Sequence, residues 1–191
     1  MRERTRTLQQ LAVGMTKADL AVAMNALYDD VQARMSGASD ADITFPPVDP
    51  QANDEFASDT AEVGLAWTLG HVIVHLTASA EEAAFIAAEL ARGVAREGRS
   101  RWETPWTSVD TADAARGRLE ESRRMILAML DAWPDPAHLD VTLPGSTGPR
   151  NAITRFLSGL NHADSHLAQM TEIVRQAHAA ARHPPVSAGQ G

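Results

Sequence analysis

The amino-acid sequence predicts an all-α fold, a four-helix bundle, and three observations support this prediction. Alanine is abundant, and Leu, Met, Arg, Glu and Gln supply much of the remainder, a composition that favours helices. Apolar residues recur at helical spacing in four long stretches, and no segment longer than a few residues alternates like a half-buried strand. A chain of 191 residues with 44% apolar content can bury one core. We therefore expect one domain over residues 1–181 and a disordered tail over residues 182–191.

The first helix is predicted from about Thr16 to Met35. Thr16 and Asp19 have the spacing of a capping box, in which each side chain bonds the other residue's backbone N–H. Ser36 and Gly37 mark the end of this helix. A shorter helical segment, from about Arg4 to Val13, either continues this helix or packs separately.

The second helix follows a long connection, about residues 37–66, which contains three prolines and many acidic residues. A connection of this length inside a compact domain is usually either functional or mobile. The second helix is predicted to begin at Thr68, because the threonine hydroxyl can cap the first turn. A helix start near Asp59 is the alternative. The helix is predicted to continue to about Arg96, where Gly98 ends it.

The third helix follows a second long connection and is predicted from about Thr111 to Ala132, with Pro134 terminating it. The fourth helix is predicted to begin at Pro149, because proline suits the first helical position. It runs to about Ala180. These four helices complete the predicted bundle.

Charge and composition exclude several classes of function. The formal charge of -8, with a single lysine, predicts that the chain binds neither nucleic acid nor an anionic membrane. No apolar stretch approaches the roughly 20 residues of a membrane span, so we expect a cytoplasmic protein. The absence of cysteine excludes disulfides, thiolate metal sites and a protein sulfur nucleophile. Any thiol chemistry must therefore use an external thiol.

Two pairs of histidines lie four residues apart, His71 with His75 and His162 with His166. Side chains at this spacing lie on one helix face about 5–6 Å apart at Cβ, so both imidazoles of a pair can reach one ion. Both pairs flank the apolar stripes of their helices, where a neutral imidazole needs a polar partner. A metal ion satisfies that need. The alternative is that each histidine bonds a carbonyl group or meets solvent.

The run Trp67-Thr-Leu-Gly-His-Val-Ile-Val-His75-Leu, followed by His162-x-x-x-His166-Leu-Ala-Gln169, resembles the DinB-like metal-binding proteins. Their thiol-transferase branch includes mycothiol-dependent maleylpyruvate isomerase. The resemblance extends from about residue 16 to 180 and implies a DinB-like bundle with long connections after the first and second helices. It also implies a divalent metal held by His75, His162 and His166. Three nitrogen ligands and an open position are typical of a catalytic metal site.

Three further residues are candidates around this site. His71 departs from the family pattern. It is interpreted as a fourth ligand, as a proton acceptor that contacts a ligand and acts as acid or base, or as a first-turn residue whose pKa the helix N-terminus lowers, with a plain structural role as the alternative. Trp67 either packs against the first turn of its helix or stacks on a bound cofactor. Arg150 opens the fourth helix, where a cation opposes the helix dipole, so it is a candidate for binding an anionic substrate.

The resemblance implies a function for the open metal site. Zinc or nickel suits the nitrogen ligands, with manganese and iron as alternatives. A bound ion lowers the pKa of a thiol or of water. The family implies an external thiol such as mycothiol or bacillithiol, and hence a thiol transferase or isomerase acting on a small-molecule substrate. The alternatives are a hydrolase that uses metal-bound water, a non-enzymatic stress-associated metal-binding bundle, and a bundle whose histidines bind nothing. We also predict a homodimer.

Overall fold

The computed structural model describes residues 6–55, 57, 59–96, 98–100, 104–146 and 148–182. Within these ranges all regular elements are helical and there is no β-strand, which confirms the all-α prediction. The predicted disordered tail lies outside the described residues, except for Arg182 at the end of the last helix. The helices are α1 (Leu8–Ala12), α2 (Lys17–Arg34), α3 (Asp40–Ile43), α4 (Leu69–Ala91), α5 (Ala112–Asp131), α6 (Ala152–Ser165) and α7 (Leu167–Arg182), with 3-10 turns at Thr60–Glu62 and Trp106–Ser108.

The bundle is formed by α2, α4, α5 and the consecutive pair α6 and α7, as expected of a DinB-like fold. Helix α4 is central: it buries most of its residues and packs against both α5 and α6. The N-terminal segment packs separately as α1, which contacts α6, because Gly14 with φ of +74° turns the chain before α2. In the described part of the chain, none of the helices has the length and apolar character needed to cross a bilayer.

The predicted N-terminal caps are confirmed. The hydroxyl of Thr16 accepts a hydrogen bond from the Asp19 N–H, and the Asp19 carboxylate accepts one from the Thr16 N–H. Thr68 caps α4 by accepting from the N–H of His71 at 3.2 Å. Thr111 caps α5 in the same way. These side chains satisfy backbone donors that have no partner within the helix.

Helix α4 ends at Ala91, five residues before the predicted end near Arg96. Gly93 adopts a left-handed conformation with φ of +87°, which suits a residue without Cβ. Its N–H donates to the Leu90 carbonyl, and the N–H of Val94 donates to the Glu89 carbonyl. This pair of bonds is the Schellman motif, which closes the helix before Gly98 is reached.

The predicted start of the fourth helix at Pro149 is wrong. The side chain of Asn151 accepts a hydrogen bond from the Thr154 N–H at 3.0 Å, so Asn151 is the N-cap and Ala152 the first helical residue. Arg150 precedes the cap and bonds Leu143 through its backbone in an isolated antiparallel bridge. A good cap therefore outweighs the proline signal.

The fourth helix was also predicted to be continuous, whereas the structure divides it at His166. The Ser165 hydroxyl donates to the His162 carbonyl at 2.5 Å, and the His166 N–H bonds Ala163, three residues back. Serine bonding to its own helix and a tightened turn both interrupt regular α-helix. The helix resumes at once, because the Met170 N–H donates to the His166 carbonyl.

The long connection between α2 and α4 is held against the bundle. The Val48 backbone exchanges two hydrogen bonds with the Gln176 side chain on α7, at 2.8 and 3.1 Å. Further along, Glu62 accepts a bond from the indole N–H of Trp106 at 3.4 Å. These contacts place the end of the connection, including Trp67, over the histidine-bearing ends of the helices.

Helices α4 and α6 approach closely at Gly159. A Cβ atom at this position would lie 2.4 Å from Cβ of Ala83 and 3.5 Å from Cα of Ala80. Small residues on both helices therefore let the two backbones meet. This close crossing sets the separation of His75, on α4, and His162, on α6.

Candidate metal centre

Three imidazole rings converge where α4, the end of α6 and the start of α7 meet. Their ring centroids lie 4.9 to 5.1 Å apart. Nε2 of His162 lies 2.9 Å from Nε2 of His75 and 3.4 Å from Nε2 of His166. Among the described residues these three form a group that could hold a metal ion, with one ligand atom each lying within 4.8 Å of the others.

The donor set fits a divalent ion. Tetrahedral coordination at a metal–nitrogen distance of about 2.0–2.1 Å places two ligand nitrogens roughly 3.3 Å apart. The two distances from His162 lie on either side of that value. If His75, His162 and His166 held one tetrahedral ion, a fourth position would be left open, as in catalytic sites.

Burial favours the neutral form of two of these rings. Burial, reinforced by the neighbouring histidines and Arg99, lowers the pKa of His75 to about 3. Burial and His166 lower the pKa of His162 as well. Both imidazoles are therefore neutral at pH 7, and a neutral imidazole has a nitrogen lone pair that can bind a cation without first losing a proton.

Gln169, one turn into α7, orients His166. The Nδ1–H of His166 donates to the side-chain oxygen Oε1 of Gln169 at 2.9 Å. This bond places the proton on Nδ1, so the lone pair lies on Nε2, the atom that faces His162. The pattern of a ligand followed by Leu-Ala-Gln thus has a physical role at this site.

Trp67 lies against the histidine cluster, and Trp106 lies behind it against His71. Trp67 stacks on His71 at 4.5 Å and on His166 at 5.9 Å, and its ring lies 4.6 Å from that of His75. His71 does not join the metal-binding group; it stacks between Trp67 and Trp106, with the second ring 4.9 Å away. Burial lowers the pKa of His71 to about 4, although the negative charge of Asp54 acts to raise it.

Two cavities adjoin the cluster. One, of about 210 Å³, is lined by Trp67, His166 and Gln169 together with Asp54 from the long connection. The other, of about 530 Å³, is lined by His162. The cluster therefore borders both a smaller cavity with acidic residues and a larger one on the side of α6.

The larger cavity contains Arg150, the candidate anion-binding residue, together with Arg99 and Arg155. Neither of these two further arginines was predicted from the sequence as a site residue. Arg155 could have been found, because it precedes His162 by seven residues and therefore lies on the same face of the helix. Trp106 and Arg99 carried no such signal, since they reach the site only through tertiary packing.

Comparison with known proteins identifies the family. A family model described as the DinB superfamily matches residues 2–170 of the chain. No curated protein and no solved structure matches it. The matched range includes all three clustered histidines and extends through Gln169.

Proposed function

The chain belongs to the DinB superfamily, and from this premise we propose that it is a metal-dependent enzyme that transfers a small thiol to an electrophilic substrate. His75, His162 and His166 hold the divalent ion, with zinc or nickel as the ion that suits three imidazoles. The observation that carries the proposal is the convergence of three nitrogen donors from α4, α6 and the junction with α7.

When bound, the ion acts as a Lewis acid and lowers the pKa of a coordinated thiol toward neutral pH. The protein's own residues hold and orient the site. Gln169 fixes the ring of His166 through Nδ1. Trp67 covers the cluster and is itself held by the stacked ring of His71, so we assign His71 a positioning role.

Two features support an external thiol and a second substrate. The chain contains no cysteine, so a sulfur nucleophile has to come from a separate molecule. Two cavities border the histidine cluster, one at His166 and one at His162, and a transferase needs room for two reactants. A reaction with water needs only one organic substrate.

The metal site is tested by elemental analysis of protein purified without a histidine tag. We expect about one divalent ion per chain in the wild type and none in His166→Ala. Replacement of His178, which lies outside the cluster on α7, is the matched control, and His178→Ala should retain the ion. A wild-type protein without stoichiometric metal contradicts the proposal.

The reaction is tested by incubating zinc-loaded protein with an electrophile such as chlorodinitrobenzene and with mycothiol, bacillithiol or glutathione in turn. We expect thioether formation that depends on one of these thiols and is lost in His166→Ala. Turnover that continues unchanged when the thiol is omitted indicates hydrolysis and contradicts the transferase assignment.

A further inference from the structure

We propose that the arginine cavity, the 530 Å³ cavity lined by Arg99, Arg150 and Arg155, binds a carboxylate group of the small-molecule substrate. The assignment of the ligand as a substrate rests on the proposed function. The cavity is lined by residues of α4 and α6, of the loop before α6 and of the segment after α4, and it meets the group of three histidines at His162.

The cavity concentrates positive charge in an acidic protein. Three guanidinium groups and one carboxylate, that of Glu82, line it, whereas the whole chain has a formal charge of -8. Glu82 already accepts hydrogen bonds from the backbone N–H and the hydroxyl of Ser100. Arg150 and Arg155 alone outnumber this carboxylate, so the cavity has an excess of positive charge that favours an anion.

Arg150 and Arg155 crowd each other. Both donate hydrogen bonds to the same acceptor, the hydroxyl of Ser158, at 3.5 and 3.0 Å. Neither forms an ion pair with a carboxylate in the described part of the chain, and there Nε of Arg150 is buried without a hydrogen-bond partner. Burial and the charge of Arg150 lower the pKa of Arg155, although Glu82 opposes this change. An anion between the two guanidinium groups removes this repulsion.

The geometry favours a carboxylate over a phosphate. Guanidinium groups bind carboxylates and phosphates alike through two parallel hydrogen bonds, so the choice between the two anions depends on the other donors at the site. Phosphates bound at a helix start usually draw on free backbone N–H groups. At the start of α6 the side chain of Asn151 already accepts from the Thr154 N–H, so that donor is taken. Side-chain donors therefore dominate the site.

His162 connects this site to the proposed reaction. Its ring lines the arginine cavity and its Nε2 lies 2.9 Å from that of His75. A substrate whose carboxylate is held by Arg150 and Arg155 thus extends toward the histidine cluster. We infer that the cavity selects anionic substrates and aligns them with the metal centre.

The test is calorimetric titration of the full chain with succinate at low ionic strength, both metal-free and zinc-loaded. We expect succinate to bind metal-free protein and its neutral analogue succinamide to bind far more weakly. Arg155→Gln should weaken succinate binding about 10- to 100-fold, the expected loss for charge-assisted hydrogen bonds. Arg124→Gln, which changes an exposed arginine of α5 outside the cavity, should bind like the wild type.

Two further variants keep the result decisive if Arg155→Gln does not fold. Arg150→Gln should weaken binding in the same range. Arg155→Lys should retain part of the affinity, because lysine keeps the positive charge but lacks the paired N–H donors of a guanidinium group. In thioether assays that pair mycothiol, which has no carboxylate, with 4-chloro-3,5-dinitrobenzoate, Arg155→Gln should raise the KM of the electrophile.

Several outcomes overturn the inference. Succinate binding that requires zinc and is unchanged in Arg150→Gln and Arg155→Gln shows that the carboxylate binds the ion itself, which leaves the proposed function intact. Absence of binding to metal-free wild type, or tighter binding of inorganic phosphate than of succinate, also contradicts the carboxylate site. If the wild-type protein does not bind zinc but binds succinate through the arginines, the carboxylate site is supported and the proposed function is contradicted.

Discussion

The side-chain oxygen of Gln169 lies 2.9 Å from Nδ1 of His166 and determines which ring nitrogen is free to bind a metal. Gln169→Leu removes this acceptor and replaces the amide with an apolar side chain of similar size. We predict a 10- to 100-fold loss of zinc affinity, about the usual cost of losing a partner of a ligand histidine. Titration against a competing chelator measures the change.

Gln169→Glu is the matched variant for this prediction. A carboxylate keeps an oxygen acceptor for the Nδ1–H, so we expect affinity at least equal to that of the wild type. Equal zinc affinity in Gln169→Leu and the wild type shows that the bond does not orient the ligand.

His71 gives a prediction about pH. Its pKa is about 4 in the folded protein and about 6.5 in an unfolded chain, so the unfolded state binds more protons between these values. The metal-free protein should therefore lose stability as the pH falls from about 6.5 toward 4. His75 and His162, whose pKa values are also lowered, act in the same direction.

Replacement of His71 by phenylalanine isolates its share of this effect. His71→Phe keeps a flat ring between Trp67 and Trp106 but does not titrate. We expect a smaller loss of unfolding free energy between pH 7 and pH 5, measured by urea denaturation in the presence of a chelator. Zinc binding should persist, because His71 lies outside the ligand group. An unchanged pH dependence contradicts the buried, neutral state of this ring.

The three clustered histidines could be named from the sequence, but only part of that signal is local. Spacing of four places His162 and His166 on one helix face, and the resemblance to DinB-like proteins adds His75 from another helix. The stack around His71 was not predictable. Trp106 reaches that ring from a connection more than thirty residues away in sequence, and only packing brings the two together.

At the scale of helices, the close crossing of α4 and α6 determines the distance between ligands. Gly159→Ala places a Cβ 2.4 Å from that of Ala83, so the helices must separate. We predict a net destabilisation of about 1–3 kcal/mol, the usual cost of overpacking, despite the better helix propensity of alanine. Weaker zinc binding should accompany it, because His75 and His162 move apart.

Gly117→Ala is the matched control for that substitution. Gly117 lies within α5, and no atom comes within 4 Å of a Cβ built there. This variant should gain about 0.5–1 kcal/mol, because alanine costs less backbone entropy in a helix. Chemical denaturation of both variants measures the difference. Similar stabilisation of the two proteins contradicts the close crossing.

Helix ends were less predictable than helix positions. Gly93 and Gly98 are both reasonable stops for α4, and the sequence does not reveal that Gly93 completes a Schellman motif first. Asn151 and Pro149 compete in the same way for the start of α6. The break at His166 depends on one hydrogen bond from the Ser165 hydroxyl. A single serine does not interrupt the apolar pattern of the sequence, so this pattern still predicts a continuous helix.

At the scale of the whole molecule, the candidate site ties together distant parts of the chain. His75 and His162 are 87 residues apart in sequence, with α5 and two connections between them. In an unfolded chain these nitrogens do not meet, so an ion that needs all three ligands binds only the folded state. Metal binding must then raise the free energy of unfolding.

This linkage gives a prediction for the complete fold. Zinc present at about 1,000 times its dissociation constant should stabilise the wild type by roughly 4 kcal/mol, and for a domain of this size that corresponds to an increase in Tm of about 10 °C. His75→Ala and His162→Ala should each lose nearly all of this increase, because the two ligands that remain hold the ion weakly. Differential scanning calorimetry with and without zinc measures it.

His138→Ala provides the control, since His138 is an exposed histidine in the connection between α5 and α6. It should keep the full increase in Tm, which shows that zinc does not act through any available imidazole. If His75→Ala retains the wild-type increase, the ion is held by α6 and α7 alone. The bundle then does not bring α4 into the site, and the open site of three histidines is contradicted together with the reaction proposed for it.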